Sequence, residues 1–242
     1  MRPPVSMPLA ATIINGRGAL AMARDASGAI TVTNLGAWNQ VKDAIVAAPI
    51  NGDVSINNFV DAEVTLGNGI STVAVTGAKR GAITVGNGDD TITVAAKSND
   101  STNNVMKITA GDGKDHISFS GPLNSVAWIL AGNGGNAITV SDQAQASIRT
   151  GSGNDDIVDR STGLVTMTGG AGDDLFEFFA GAHATVTDFQ AGHDDLVLHG
   201  LSASQVQVTS AGGATLIDLG GGSTIRLAGV VLTAGSPDIV FA

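Results

Sequence analysis

The nine residues Gly86-Asn87-Gly88-Asp89-Asp90-Thr91-Ile92-Thr93-Val94 hold a Gly-rich turn followed at once by an alternating β-type run. The same signature returns at 111–119 (GDGKDHISF), 132–140 (GNGGNAITV), 151–159 (GSGNDDIVD) and 170–178 (GAGDDLFEF), with a worn copy, GNGISTVAV, from Gly67. The start points 67, 86, 111, 132, 151 and 170 step by 19, 25, 21, 19 and 19 residues. A turn and a β-run that recur together near one fixed period predict the coil of a solenoid.

Each coil has room for two short strands, one after the Gly-rich turn and one before the next, as in GAITV at 81–85. Ile, Val and Thr dominate both, as suits a pleated surface. Ile92, Ile117, Ile138, Ile157 and Phe176 occupy the same place in successive copies. Stacked coils would bring them into an apolar ladder at about 4.8 Å spacing. The extra residues of AAKSNDSTNNV (95–105) read as one loop bulging from its coil. The fold expected is all-β, a right-handed parallel β-solenoid (β-roll) of about six coils spanning residues 61–200. Residues 1–60 read as an N-terminal cap, with a hairpin around Asp25–Gly28 and one short helix between Trp38 and Ala48, stopped by Pro49. Residues 201–242 alternate like strands and read as a C-terminal β cap.

Gly supplies 33 of 242 residues, and the acidic set is lopsided, with 20 Asp against only Glu63 and Glu177. Asp is the shorter carboxylate, suited to turns and to tight oxygen cages around hard cations. A net charge of −10 argues against nucleic acid and anionic membranes, which need basic footprints. No Cys is present, so neither disulfides nor thiolate metal sites are available. No apolar run reaches the roughly 18 residues of a membrane helix. Residues 1–23 make a poor secretory signal, because Pro8 and Asn15-Gly16-Arg17-Gly18 interrupt the apolar stretch.

The five full copies resemble the nonapeptide G-G-x-G-x-D-x-U-x of the repeats-in-toxin (RTX, hemolysin-type) calcium-binding family, where U is a large apolar residue. Gly169 to Glu177 match it at every position. VTDFQAGHDDLVL at 186–198 is similar to the family's solenoid-closing segment, and the tail Asp238–Ala242 is similar to its type I export signal. The resemblance implies several Ca2+ ions, each held between the turns of neighbouring coils. The residues implied are Gly86, Gly88 and Asp90; Gly111, Gly113 and Asp115; Gly132, Gly134 and Asn136; Gly151, Gly153 and Asp155; Gly170, Gly172 and Asp174; and, in the closing segment, Asp188 and Asp194. Family rolls carry the motif on both edges of each coil, whereas here the second edge reads TGAKRG, SGPLNS, SDQAQA and DRSTG. A single row of ions is therefore expected. Asn136 and Ser71 should make the weaker sites.

No catalytic pattern competes. The glycines recur in every coil and no helix follows them, which excludes a dinucleotide fingerprint. No HExxH and no G-x-S-x-G is present, and His116, His183, His193 and His199 are scattered. Paired aspartates such as Asp155-Asp156 should point to opposite faces of a strand. Asp159 reads as lying beyond its strand. Lys79-Arg80 reads as a solvated turn, with an acidic polysaccharide contact as the sharper option. Trp38 and Trp128 read as packed rather than sugar-stacking. The expected function is a secreted, non-enzymatic calcium-binding module, structural or adhesive at a cell surface or in a matrix, exported by the type I apparatus and without membrane insertion. The alternative is an accessory module of a polysaccharide-acting enzyme; uronate-epimerase accessory domains share the repeat.

Overall fold

A computed structural model describes residues 10–12, 20–24, 29–34, 43–47, 51–97 and 104–242, and the chain winds as a parallel β-solenoid of about seven turns. Among these residues the strands form an 11-stranded sheet, which holds the strand after each Gly-rich turn, and a 12-stranded return sheet. Between Ile30 and His199 consecutive strands enter opposite sheets and pair with strands one coil away.

The expected ladder is present and longer than the repeat implied. Ile30, Val54, Val73, Ile92, Ile117, Ile138, Ile157, Phe176, Leu196 and Ile239 stand in direct register. From the return sheet, Val64, Ile83, Ile108, Ile129, Ile148, Met167, Val186 and Leu227 form a facing row. All are buried, and each large aliphatic so placed contributes about 1.5–3 kcal/mol. Ala62, Gly81, Met106, Ala127, Ala146 and Val165 line the return sheet beside this row.

Two expectations are corrected. The coils number about seven, not six, because Asp53–Asn57 and Asp61–Thr65 make a coil of their own ahead of Gly67. Its turn, Asn51-Gly52-Asp53, lacks the second Gly, so it does not register as a copy of the motif. The helix expected between Trp38 and Ala48 is not formed in its described part: Asp43–Ala47 is a strand, parallel to Asp61–Thr65 and antiparallel to Ala10–Thr12. Ala44 and Val46 are both buried, and this period of two lets the sheet override helix propensity. Residues 35–42 and 48–50 lie outside the described residues, as does the tip of the expected bulge, 98–103.

The N-terminal hairpin forms, with Leu20–Arg24 antiparallel to Ile30–Asn34. At the other end, Gln207–Ala211, Ala214–Gly220 and Ser223–Leu227 make an antiparallel meander. Its last strand docks parallel on His183–Val186. The terminal strand Ile239–Phe241 lies parallel on Asp195–His199, and the Leu196 amide donates to the Asp238 carbonyl at 2.8 Å.

Asp159 does not lie beyond its strand. It belongs to Asp156–Ser161, in register between Val140 and Phe178, and is fully buried in the core. One carboxylate oxygen accepts from the Ser161 amide and hydroxyl at 2.9 and 2.7 Å, while the other has no partner. Burial pushes its pKa up to about 6. A pKa raised on folding means that the stabilising, protonated state is complete below about pH 4 and is lost as pH rises through 6. At neutral pH the ionised group costs up to about 3 kcal/mol. Asp159→Asn, which keeps the acceptor for Ser161, should raise stability at pH 8 by about 1–3 kcal/mol and change little at pH 4. Denaturant unfolding at the two pH values checks this, and equal effects at both would contradict it.

Candidate cation-binding turn edge

The Gly-rich turns stack along one edge of the solenoid, and backbone contact dictates their composition. A Cβ on Gly132 would lie 2.1 Å from the Gly111 carbonyl oxygen. Gly134 combines φ +118 with a Cβ position 2.0 Å from the Gly113 oxygen. So close approach requires the first Gly of this copy, and approach together with backbone conformation requires the second. The second Gly donates its amide one coil onward: Gly88 to Asp112, Gly113 to Asn133 and Gly134 to Ser152, at 2.7–2.9 Å.

The fifth motif position forms a buried column. Asp90, Asp115, Asn136, Asp155 and Asp174 are each no more than 2% exposed, and Asp194 continues the line. In every step Oδ1 accepts the amide of the corresponding residue in the preceding coil. The Ser71 amide donates to Asp90 at 2.6 Å, Asp90 to Asp115 at 2.9 Å and Asp115 to Asn136 at 3.1 Å. Asn136 donates to Asp155 at 2.8 Å, Asp155 to Asp174 at 2.9 Å and Asp174 to Asp194 at 3.0 Å. The column therefore brings together six of the seven residues expected to hold the ions through side chains, all but Asp188.

The second side-chain atom separates the members. Oδ2 of Asp90, Asp115, Asp155 and Asp174 is buried and has no hydrogen-bond partner. In Asn136 the same place is taken by an amide, which donates to the carbonyls of Gly132 and Gly134 at 3.2 and 3.1 Å and to Asp155 Oδ1 at 2.9 Å. The motif carbonyls thus accept a donor where a coil carries Asn. Where a coil carries Asp, an oxygen stands in the donor's place and leaves the site short of positive charge. A buried orphan carboxylate oxygen costs about 1–3 kcal/mol or more.

Electrostatics follows the geometry. Burial raises the pKa of all four aspartates, and for Asp115 and Asp174 it does so to about 6. The amide bond from the preceding coil opposes the shift, while neighbouring carboxylates, Asp90 and Asp89 on Asp115, add to it. Among the described residues no three His, Cys, Asp or Glu side chains converge to hold a metal. A cation here would be held chiefly by backbone carbonyls with one or two carboxylates, a donor set that suits hard ions such as calcium.

Asp188 and Asp194 stand differently. Asp188 accepts the amides of Gly169 and Gly170 at 3.0 and 2.8 Å, and Asp194 accepts those of Asp174 and Gln190 at 3.0 and 2.8 Å. Each uses both oxygens to cap the final turn, which is anchored by Phe189 packed against Phe176. At the other end Ser71 is buried, with its hydroxyl 3.4 Å from the Gly69 carbonyl.

On the outer face of the motif sheet, Glu177 hydrogen-bonds His199, whose ring stacks on Phe179 at 4.5 Å, and the Arg160 guanidinium lies 4.1 Å from the Phe179 ring centre. Burial, then the Glu177 charge, raises the Asp156 pKa. Sequence spacing does not reveal this cluster, because its members come from three coils and match only through register. No protein-family model matches the chain, and no curated protein matches it significantly.

Proposed function

We propose that this chain is a calcium-binding β-roll of the RTX type, a non-enzymatic module that calcium folds outside the cell and that serves a structural or adhesive role. The observation that carries this reading is the contrast within the buried column. Four aspartates each leave one buried oxygen without a partner, whereas Asn136 fills the same place with its own donor. Calcium would be held by the carbonyls of Gly86 and Gly88 with Asp90, and by the equivalent groups around Asp115, Asp155 and Asp174. It would supply the positive charge that these oxygens lack. The sites form one row, with a gap or a weak site at Asn136.

If each site binds at about 10⁻⁴ M, millimolar calcium stabilises by about 1.4 kcal/mol per site, and submicromolar calcium by almost nothing. Four sites then contribute about 6 kcal/mol, comparable with the stability of a whole domain. That contrast fits a chain kept unfolded at cytosolic calcium, exported by a type I apparatus and folded on emergence.

Asp155→Ala should lower the number of calcium ions bound, measured by calorimetry, whereas Asp159→Ala, four residues on and inside the core, should keep the full number and shift only the calcium concentration at which the chain folds. Equal losses of bound calcium would place the sites elsewhere.

A further inference from the structure

The outward face of the return sheet is sorted by charge. From Val105–Thr109 through His183–Val186 it presents no Asp or Glu, although the chain carries 22 acidic residues. At its centre lies Trp128, one of only two Trp in the chain, and it is 56% exposed rather than packed. Leu130, in the same strand, is 42% exposed. An indole left in water forgoes a large burial energy, which a ligand can recover by stacking.

Lys107 stands beside Trp128 in direct register on one neighbouring strand, and Arg149 beside Leu130 on the other. Neither cation pairs with a carboxylate among the described residues. By contrast Arg80, the other basic candidate, is committed to Asp61 at 3.0 Å. Lys107, Trp128, Leu130, Ser147, Arg149 and Thr168 line a groove of about 480 Å³, within the size range of ligand clefts, about 300–1,000 Å³. Ser147 continues into Thr166 and Thr185 on the next strands, a flat shelf of hydroxyls at the strand spacing.

We propose that this groove binds an acidic polysaccharide, with a sugar ring stacked on Trp128 and ring carboxylates paired with Lys107 and Arg149. Each feature answers one requirement. The indole offers a flat apolar surface to the C–H face of a pyranose, and the shelf offers hydroxyl partners to its edges. The two cations stand on the strands to either side of the stacking position, on the order of 10 Å apart by the strand spacing, where they can meet charges repeated along a chain. The absence of carboxylates on this face removes the repulsion that the rest of the surface would exert on a polyanion. The site is on the outward face of the return sheet, shares no residue with the turn column and does not depend on the calcium reading.

The test uses the full chain, at a calcium concentration where its β spectrum is complete, with hexagalacturonate as the probe and cellohexaose as the neutral control. Calorimetry should show binding of the acidic oligomer, with Trp128→Ala weakening it about tenfold and Trp128→Phe restoring part of the loss. Lys107→Ala with Arg149→Ala should remove the preference for the acidic over the neutral oligomer. These positions are exposed, so the far-UV spectrum should not change. The proposal is overturned if the wild-type chain ignores hexagalacturonate at millimolar concentration, or if the Ala variants bind it undiminished. Binding of a single-stranded oligonucleotide in its place would likewise overturn it.

Discussion

Replacing Asp90, Asp115, Asp155 and Asp174 together by Asn should yield a chain that folds in excess chelator at neutral pH and no longer responds to calcium. The wild-type protein should be largely unfolded under the same conditions. Asn136 is the precedent: its amide reaches the carbonyls of Gly132 and Gly134, and its Oδ1 still accepts the Asp115 amide. Four such changes supply four donors and remove four buried charges, while leaving every Oδ1 contact in the column available. A proton should do in part what the amide does. Burial raises these carboxyls, Asp115 and Asp174 to about 6, so the stability they confer is present below about pH 4 and lost as pH rises through 6. The chelated wild-type chain should therefore regain β-structure as pH falls from 7 toward 5, and the quadruple variant should keep only the smaller dependence that buried carboxyls such as Asp159 confer. A variant that stays unfolded in chelator, with calcium still rescuing it, would show that the orphan oxygens do not decide folding.

The second large effect concerns backbone approach rather than charge. Gly134→Ala should unfold the chain even in millimolar calcium, whereas Gly192→Ala should be tolerated. Both glycines have positive φ, +118 and +81, and each alanine costs about 1–3 kcal/mol for that conformation. Only Gly134 adds a clash, its Cβ falling 2.0 Å from the Gly113 oxygen, while nothing lies within 4 Å of a Cβ on Gly192. Relief would require separating two coils, with loss of their ladder hydrogen bonds and of the Asp115 to Asn136 contact above them. Similar melting temperatures for the two variants would contradict the stacked turn edge.

The coil and its register were legible in the sequence because each Gly-x-Gly-x-Asp copy fixes the phase of the strand that follows. Ile92, Ile117, Ile138, Ile157 and Phe176 align as their spacing implied, and Asp90, Asp115, Asn136, Asp155 and Asp174 form one column. What escaped has physical causes. Asp43–Ala47 is too short for its period to separate helix from strand, and its partners lie far along the chain. Asp159 shares the parity of the inward Ile157, yet a carboxylate contradicts the apolar pattern that would have placed it inside. Trp128 lies in SVAWIL, an almost continuous apolar run, so alternation could not tell the inward Ala127 and Ile129 from the outward Trp128 and Leu130. The orphan oxygens are visible only in three dimensions, because Asp and Asn are interchangeable in the motif and differ here in one atom.

The central claim, that the turn edge requires a cation, is tested most directly by titrating calcium into the chelated wild-type chain and following the far-UV circular dichroism. Conversion from a largely disordered to a β spectrum at high micromolar to millimolar calcium is the result expected. A full β spectrum in excess chelator at neutral pH, unchanged by added calcium, would contradict it.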